Sequence, residues 1–278
     1  MKKAVKIIGM FLSFVLMIGG LIGCGSSDEN TSSIEKIKEN GVIKIGVFSD
    51  KPPFGYVDEN GKNQGYDIEF AKRIAKDLLG DENKVEFVLV EAASRVEFLQ
   101  SNKVDIILAN FTVTDERKEV VDFANPYMKV ALGVVSKDDK LYTNIDDLKG
   151  KTVAVNKGTT AEAYLTKNYP DINLLKFDQN TETFEALKDG RADALAHDNT
   201  LVFAWAQENN GYTVGIKSLG EHDFIAPAVK KGNKELLDWL NNEIDTLSKE
   251  GFPKEAYDKT LAPVYGDTVD YKDVIIEE

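Results

Sequence analysis

The hydrophobic pattern of this chain changes period repeatedly, and this feature limits the possible folds more than any other. Short stretches repeat apolar residues at every second position, as β-strands do, and the stretches between repeat them every three or four positions, as amphipathic helices do. Such alternation predicts a mostly parallel sheet covered by helices. The pattern runs from residue 34 to about 128 and starts again after residue 140, so we predict two α/β halves.

The two halves contain the following predicted elements. Helices are predicted at 34–40, 67–79, 94–101, 114–121, 160–168, 181–188, 200–208, 234–250 and 253–261. Strands are predicted at 42–47, 85–90, 105–109, 152–156, 174–177, 192–196 and 214–217. The dipeptide Asn60-Gly61 is typical of a hairpin turn, and the acidic tail 262–278 is only weakly patterned.

Two apolar stretches, at 127–135 and 224–229, fit neither half cleanly. Each is interpreted as an extended crossover between two lobes. We therefore predict an α/β fold in which 34–128 and 226–278 form lobe 1 and 129–225 forms lobe 2. Two crossovers make a hinge, and the cleft between two lobes is the expected place for a small ligand.

The N-terminus has the pattern of a secretory signal. Three lysines in the first six residues precede an apolar run at 7–22, which predicts a signal peptide over 1–23. The sequence Leu21-Ile22-Gly23-Cys24 resembles a bacterial lipobox, which implies lipidation of Cys24, with palmitate among the acyl groups. A plain signal peptide or an uncleaved anchor is the alternative. Residues 24–33 are small and polar and predict a flexible tether, so the folded part would lie outside the cytoplasmic membrane.

Charge and composition exclude several classes of protein. The chain has 47 Asp and Glu against 34 Lys and Arg, a net charge of −13 that becomes −16 if the first 23 residues are removed. Nucleic-acid binding requires clustered cations and is excluded on this basis. One cysteine and two histidines make an intrachain disulfide impossible and a zinc site unexpected. We expect no metal, no cofactor and no catalytic residues, because the sequence offers no Ser-His-Asp set or phosphate-binding loop.

Five motifs resemble family 3 extracellular solute-binding proteins, the polar amino-acid receptors of ABC importers. They are NFTVTDER at 110–117, VDFANPY at 121–127, GYD at 65–67, NKGTT at 156–160 and ADALAHD at 192–198. The resemblance covers 34–262 and implies the two-lobed periplasmic-binding-protein type II fold. It also implies a free amino acid as ligand and an ABC permease in the membrane as partner. We expect a monomer.

The resemblance implies a clamp for the two charged groups of a free amino acid. Arg117 of lobe 1 would bind the α-carboxylate, because guanidinium is a planar bidentate donor. Asp198 of lobe 2 would bind the α-ammonium. Without the resemblance, Arg117 would be interpreted as part of a solvated helix face and Asp198 as a helix cap. Four further residues are predicted ligand contacts: Asn110, Thr112, Thr159 and Thr160.

The ligand's side chain would lie near loops that follow two strands of lobe 1. Lys51 and Arg95 occupy these loops, at the sheet edge where open α/β folds bind ligands, and would suit an acidic side chain or a thiol. Surface solvation of both is the alternative. Phe54 is a candidate apolar wall and Phe48 a candidate core residue, while Asp50 would pair with a cation or repel an acid. His197 is interpreted as a packed core histidine, and His222 has no assigned role.

Two branches of the family are similar to the whole chain: cysteine receptors and aspartate/glutamate receptors. The runs at 112–117 and 261–267 favour the cysteine branch. Asn156 stands where some glutamine receptors carry lysine, which weakens a glutamine assignment. Two other classes stay open: a dehydratase-like enzyme on the same fold, and a surface adhesin.

Overall fold

The structure is a computed structural model and describes residues 33–276. The predicted signal peptide, the lipobox and Cys24 lie outside the described residues. Among residues 33–276, no helix combines the length and the apolar character that crossing a bilayer requires.

Helices and strands alternate along most of the described chain. The helices are α1 (Ser33–Asn40), α2 (Tyr66–Leu79), α3 (Arg95–Gln100), α4 (Asp115–Lys118), α5 (Thr160–Asn168), α6 (Asn180–Lys188), α7 (Asn199–Glu208), α8 (Lys234–Lys249), α9 (Phe252–Thr260), α10 (Ala262–Tyr265) and α11 (Tyr271–Val274). The strands are β1 (Ile43–Val47), β2 (Asp50–Lys51), β3 (Gly55–Val57), β4 (Asn63–Gln64), β5 (Val85–Leu89), β6 (Ile106–Ile107), β7 (Val121–Phe123), β8 (Met128–Lys137), β9 (Thr152–Asn156), β10 (Asn173–Phe177), β11 (Ala194–Asp198), β12 (Tyr212–Ile225) and β13 (Ala228–Lys230).

The strands form two five-stranded sheets that are mixed, whereas the alternating pattern predicted mostly parallel ones. The first has the order β5-β1-β6-β13-β7, and the second has the order β10-β9-β11-β8-β12. In the first sheet β1 is parallel to β5 and β6, and β13 is antiparallel to its neighbours. In the second, β9, β10 and β11 are parallel and β8 is antiparallel.

Helices cover both sheets, which gives the molecule two lobes. Helices α2, α3 and α8 contact the first sheet, and we call this part lobe 1. Helices α5, α6 and α7 contact the second sheet, and we call this part lobe 2. The small antiparallel sheet β2-β3-β4, which includes the predicted Asn60-Gly61 turn, packs on α2 of lobe 1. The predicted α/β two-lobed fold class is confirmed.

The chain passes between the sheets near the predicted crossovers. It leaves the first sheet after β7 and enters the second at β8, and it returns between the end of β12 and the start of β13. The C-terminal helices α10 and α11 contact α7 and β8. The division of the chain at 128/129 and 225/226, with the whole segment 226–278 in lobe 1, stays a prediction.

The apolar stripe of each long helix explains its packing. In α8, Leu236, Leu240, Ile244 and Leu247 recur at helical spacing and are all buried. Burial of each such side chain contributes about 1.5–3 kcal/mol. Asn233 caps the start of the helix, because its side chain accepts a hydrogen bond from the backbone N–H of Leu236.

Three predicted bounds were wrong in ways that affect the cleft. The helix predicted at 114–121 ends at Lys118, because Val121 pairs with β13 in the first sheet. The strand predicted at 192–196 lies at 194–198, which brings Asp198 to the strand end. The strand predicted at 214–217 is part of the continuous β12, whose irregular register with β8 carries it to residue 225.

Candidate ligand-binding site

Side chains from both lobes surround a polar cavity at the carboxyl ends of the sheet strands. The lining residues are Phe48, Lys51, Ala92, Arg95, Asn110, Thr112, Arg117, Thr159, Thr160, His197 and Asp198. Eight of the nine residues predicted to bind ligand are therefore brought together. The cavity measures about 10 Å³, which is room for about one water molecule. An amino acid can enter only if the lobes separate.

Arg117 reaches from lobe 1 to lobe 2. Its Nη1 donates to the backbone oxygen of Thr112 at 2.6 Å, and its Nη2 donates to the backbone oxygen of Gly158 at 2.9 Å. The guanidinium lies 4.7 Å from the centre of the Phe111 ring. Burial lowers the pKa of Arg117 to about 10, although Asp198 and Asp223 act in the opposite direction. Both of these hydrogen bonds go to neutral carbonyls, so the guanidinium can gain much from an approaching carboxylate.

Arg95 is buried beside Arg117 and is 3 % exposed. It donates to the backbone oxygens of Ala92, Ala109 and Asn110 and, across the cleft, to that of Gly158 at 3.2 Å. Burial lowers the pKa of Arg95 well below its ordinary value, and the charge of Arg117 adds to this shift. Two guanidiniums in one cavity create a positive potential that favours an anion. The alternative of a solvated surface arginine is wrong for Arg95.

Lys51 bridges the lobes and is 2 % exposed, so surface solvation is also wrong for this residue. Its Nζ donates to Oδ1 of Asn110 at 2.5 Å and to Oδ2 of Asp198 at 2.9 Å. Its ammonium also lies 5.3 Å from the centre of the Phe48 ring. Burial lowers the pKa of Lys51, and the carboxylate of Asp198 opposes that shift. Lys51 therefore already has an anionic partner.

Asp198 ends β11 and directly precedes α7. Although it stands at the N-cap position, its side chain makes no capping hydrogen bond, so the interpretation as a cap is wrong. Burial would raise its pKa, but the charge of Lys51 outweighs burial, and the pKa of Asp198 is lowered. The carboxylate therefore stays ionised. Lys51 donates to Oδ2 of this carboxylate.

His197 is buried, as predicted, and it also lines the cavity. The backbone N–H of Asp198 donates to its Nδ1 at 2.7 Å. Burial lowers the pKa of His197, and the nearby charge of Lys51 lowers it further. A neutral ring whose Nδ1 already accepts a hydrogen bond contributes shape and polarity to the cavity.

Asn110 holds the lobe 1 side of the cleft together through both its side chain and its backbone. It adopts a φ of 44°, a left-handed conformation that asparagine tolerates better than most residues. Its backbone N–H donates to Oδ2 of Asp67 at 2.8 Å, and Tyr127 donates to Oδ1 of the same carboxylate at 2.7 Å. Burial raises the pKa of Asp67 to about 6. Asp67, from the GYD motif, is therefore a buried support for Asn110.

The three threonines lie where the lobes meet. Thr112 is buried, and its backbone forms an isolated antiparallel β-bridge with Ile225 at the second crossover. Thr159 caps α5 by accepting from the backbone N–H of Glu162 at 3.2 Å, so its cap role is present alongside its place in the cavity wall. Thr160 is the first residue of α5 and brings a free helix N–H to the cavity.

The prediction for Phe54 as an apolar wall was wrong, because Phe54 is fully buried in the core and does not line the cavity. Phe48 is a buried core residue, as predicted, and it also lines the cavity. Asp50 was expected to pair with a cation or repel an acid, but it accepts hydrogen bonds from the N-terminus of α6. Sequence reasoning also missed Gly158 as an interlobe acceptor, although this residue lies within the quoted NKGTT motif. Gly158 makes this contact through its backbone oxygen, which every residue type has, so the sequence could not identify it.

Comparison with known proteins agrees with this geometry. A sequence profile described as bacterial extracellular solute-binding proteins, family 3, matches residues 43–262. A glutamine-binding protein of an ABC transporter from Bacillus subtilis is 33% identical over 268 residues, which are 94% of this chain and 98% of that protein.

Two solved structures are more similar in sequence. The solute receptor for L-cysteine of Neisseria gonorrhoeae is 63% identical, with a TM-score of 0.87 over 88% of this chain and 99% of that one. The cysteine-binding protein of Campylobacter jejuni is 64% identical, with a TM-score of 0.88 over 89% of this chain and 100% of that one. Profile, relatives and fold agree, and the chain belongs to the family 3 bacterial extracellular solute-binding proteins.

Proposed function

We propose that this protein binds a free polar amino acid, with L-cysteine as the preferred ligand, between its two lobes. One observation carries the proposal: a guanidinium from lobe 1, Arg117, and a carboxylate from lobe 2, Asp198, line the same cavity. These are the complements of an α-carboxylate and an α-ammonium. A ligand that contacts both lobes binds the closed form more tightly than the open form and therefore favours closure.

Binding begins in the open form, because the closed cavity is too small to admit an amino acid. The α-carboxylate is bound by Arg117 and by the backbone N–H at the start of α5, where the helix dipole favours an anion. The α-ammonium then engages Oδ1 of Asp198 as the lobes close. Both steps use charges that are already held in place by hydrogen bonds, so little side-chain ordering is needed.

The preference for cysteine over an acidic amino acid rests on the partners of Lys51. This ammonium is already bound by Asn110 and by the carboxylate of Asp198. A side-chain carboxylate that paired with Lys51 would have to displace Asp198, whereas a small thiol needs no charged partner. The two similar solved structures are a solute receptor for L-cysteine and a cysteine-binding protein, which also supports this ligand. Aspartate or glutamate is the alternative.

Calorimetric titration of ligand-stripped protein with the twenty amino acids and with cystine tests the ligand. Cysteine, kept reduced, should bind most tightly. Tight binding of aspartate or glutamate without binding of cysteine would overturn the cysteine assignment. The absence of binding by every compound would overturn amino-acid binding itself.

Delivery to an ABC permease and attachment to the membrane are also part of the proposal. The similarity to binding proteins of ABC transporters supports delivery, and the sequence Leu21-Ile22-Gly23-Cys24 supports lipid attachment at Cys24. A Cys24→Ser variant should lose incorporation of labelled palmitate and move to the soluble fraction. Retention of label in that variant would contradict the lipid anchor. The proposal includes no chemical turnover, so incubation should return the amino acid unchanged.

A further inference from the structure

Asp50 of lobe 1 makes hydrogen bonds to the first turn of a helix in lobe 2. Its Oδ2 accepts from the backbone N–H of Asn180 at 2.7 Å and of Thr181 at 3.3 Å. Its Oδ1 accepts from Nδ2 of Asn180 at 2.9 Å. These bonds lie outside the ligand cavity, whose wall includes neither residue.

Helix α6 depends on this contact for its N-terminal cap. Gln179, which stands at its N-cap position, makes no side-chain capping hydrogen bond. The first N–H groups of a helix have no intrahelical partner, and a carboxylate is favoured there by the helix dipole. The cap that most helices take from their own sequence is supplied here by the other lobe. Separation of the lobes therefore leaves the start of α6 without a protein partner.

Asp50, which makes this contact, is in the same strand, β2, as Lys51. Consecutive residues of a strand point to opposite sides, so Lys51 reaches into the cavity to Asp198 while Asp50 reaches α6 outside it. Asn180 is 4 % exposed in this arrangement. Two adjacent residues of lobe 1 thus contact lobe 2 at two separate points. The contact of Asp50 lies outside the cavity, so it can form without ligand.

We propose that Asp50 is an interlobe clasp that favours the closed form independently of ligand and slows ligand release. The effect on closure stands without the proposed function, and the effect on release rests on it. Hydrogen bonds to a charged group are among the stronger ones, so loss of this carboxylate should lower the closed-to-open ratio about 10-fold. The apparent affinity for a ligand that needs the closed form falls by up to the same factor.

The test is a distance measurement between the lobes in ligand-free protein. Spin labels at Lys84→Cys and Lys167→Cys, exposed positions on lobe 1 and lobe 2, are introduced into the full chain with Cys24→Ser. Asp50→Asn, and Asp50→Ala, which removes every acceptor, should shift the distribution toward the separated form. The matched control is Asp58→Asn, because the Asp58 carboxylate also accepts from backbone N–H groups but only within lobe 1.

Release kinetics of L-cysteine provide the second measurement. Dissociation should be about 10-fold faster in Asp50→Asn than in the control, with association little changed. An unchanged distance distribution in both Asp50 variants would overturn the clasp. If the distribution shifts while no amino acid binds to any variant, the clasp stands and the proposed function fails. Circular dichroism of each variant checks that its overall secondary structure matches that of the wild type.

Discussion

Arg117 makes hydrogen bonds only to neutral oxygens in the described structure, and this arrangement carries a direct prediction. The Arg117→Ala variant should lose at least about 30-fold in amino-acid affinity, because removal of one partner from a buried charge pair costs about 2–5 kcal/mol. Its thermal stability should change little, since a buried guanidinium without a carboxylate costs desolvation energy. Calorimetry and thermal unfolding measure the two effects.

The matched control for Arg117 is Arg191→Ala. Arg191 is an exposed arginine of lobe 2 that pairs with Asp189 on its own turn. That variant should bind with wild-type affinity. Equal affinity of Arg117→Ala and the wild type would refute the proposed contact with the α-carboxylate.

The residue types of the cavity were predictable, but their partners were not. The resemblance identified Arg117, Asp198 and the threonines, and all of them line the cavity. It could not identify the bond between Lys51 and Asp198, because these residues are 147 positions apart and meet only when the lobes close. The same holds for Asp50 and Asn180. The place of Phe54 in the core was missed because its side-chain direction depends on local backbone geometry, whereas the core position predicted for Phe48 is confirmed.

At the scale of elements, the loop before α5 contacts lobe 1 too closely for a side chain. Gly158 has a φ of +72°, and a Cβ there would lie 2.6 Å from the Cα of Ala93 in lobe 1. Gly158→Ala should therefore hinder closure and weaken ligand binding about 10-fold or more, by reducing the population of the closed form. Binding measurements and the interlobe distance test this effect.

Gly150→Ala is the control for this element. Gly150 is in the same lobe with a φ of +74°, but a Cβ there meets no atom within 4 Å. Both variants carry the same backbone strain, of order 1 kcal/mol, so only Gly158→Ala should affect ligand affinity. Equal losses of affinity in the two variants would mean that strain, and not closure, is responsible.

The interface of α2 with α8 predicts a dependence of stability on pH. Burial, reinforced by the adjacent Asp77 and by Glu250 and opposed by Arg73, raises the pKa of Glu243 to about 8. The folded state then holds a proton that the unfolded state releases above its ordinary pKa of 4.5. The free energy of unfolding should therefore fall as the pH rises from about 4.5 to about 8.

Urea unfolding across this pH range measures the slope. Glu243→Gln should show a shallower fall than the wild type and should be the more stable protein at pH 8. Glu59→Gln, at an exposed turn position, should keep the wild-type slope. Identical slopes in Glu243→Gln and the wild type would contradict the assignment.

The elements themselves were predictable where the pattern was long and periodic. The bounds of helix α8 are predicted to within one residue, because its apolar stripe shows its extent and the glycine that follows indicates its end. The helix at 114–121 was too long, because pairing of Val121 with β13 is a tertiary contact that overrides local propensity. The length of β12 was missed for a similar reason, since its irregular pairing with β8 breaks the two-residue period.

At the scale of the whole molecule, an acidic protein concentrates cations in its cleft. The chain has a net charge of −13, whereas the cavity brings together Lys51, Arg95 and Arg117. The two-lobed architecture follows from the alternating hydrophobic pattern. The closed geometry does not, because it depends on contacts between residues of different lobes that carry no local signal. Under the proposed function, these interlobe bonds would link closure to ligand binding.

The most direct test of the zwitterion clamp compares L-cysteine with its two singly charged analogues. Cysteamine lacks the carboxylate that Arg117 would bind, and 3-mercaptopropionate lacks the ammonium that Asp198 would bind. In calorimetric titration of ligand-stripped, reduced protein, cysteine should bind tightly and each analogue at least about 30-fold more weakly. An analogue that binds as tightly as cysteine would contradict the account, because the charged group it lacks would then contribute nothing.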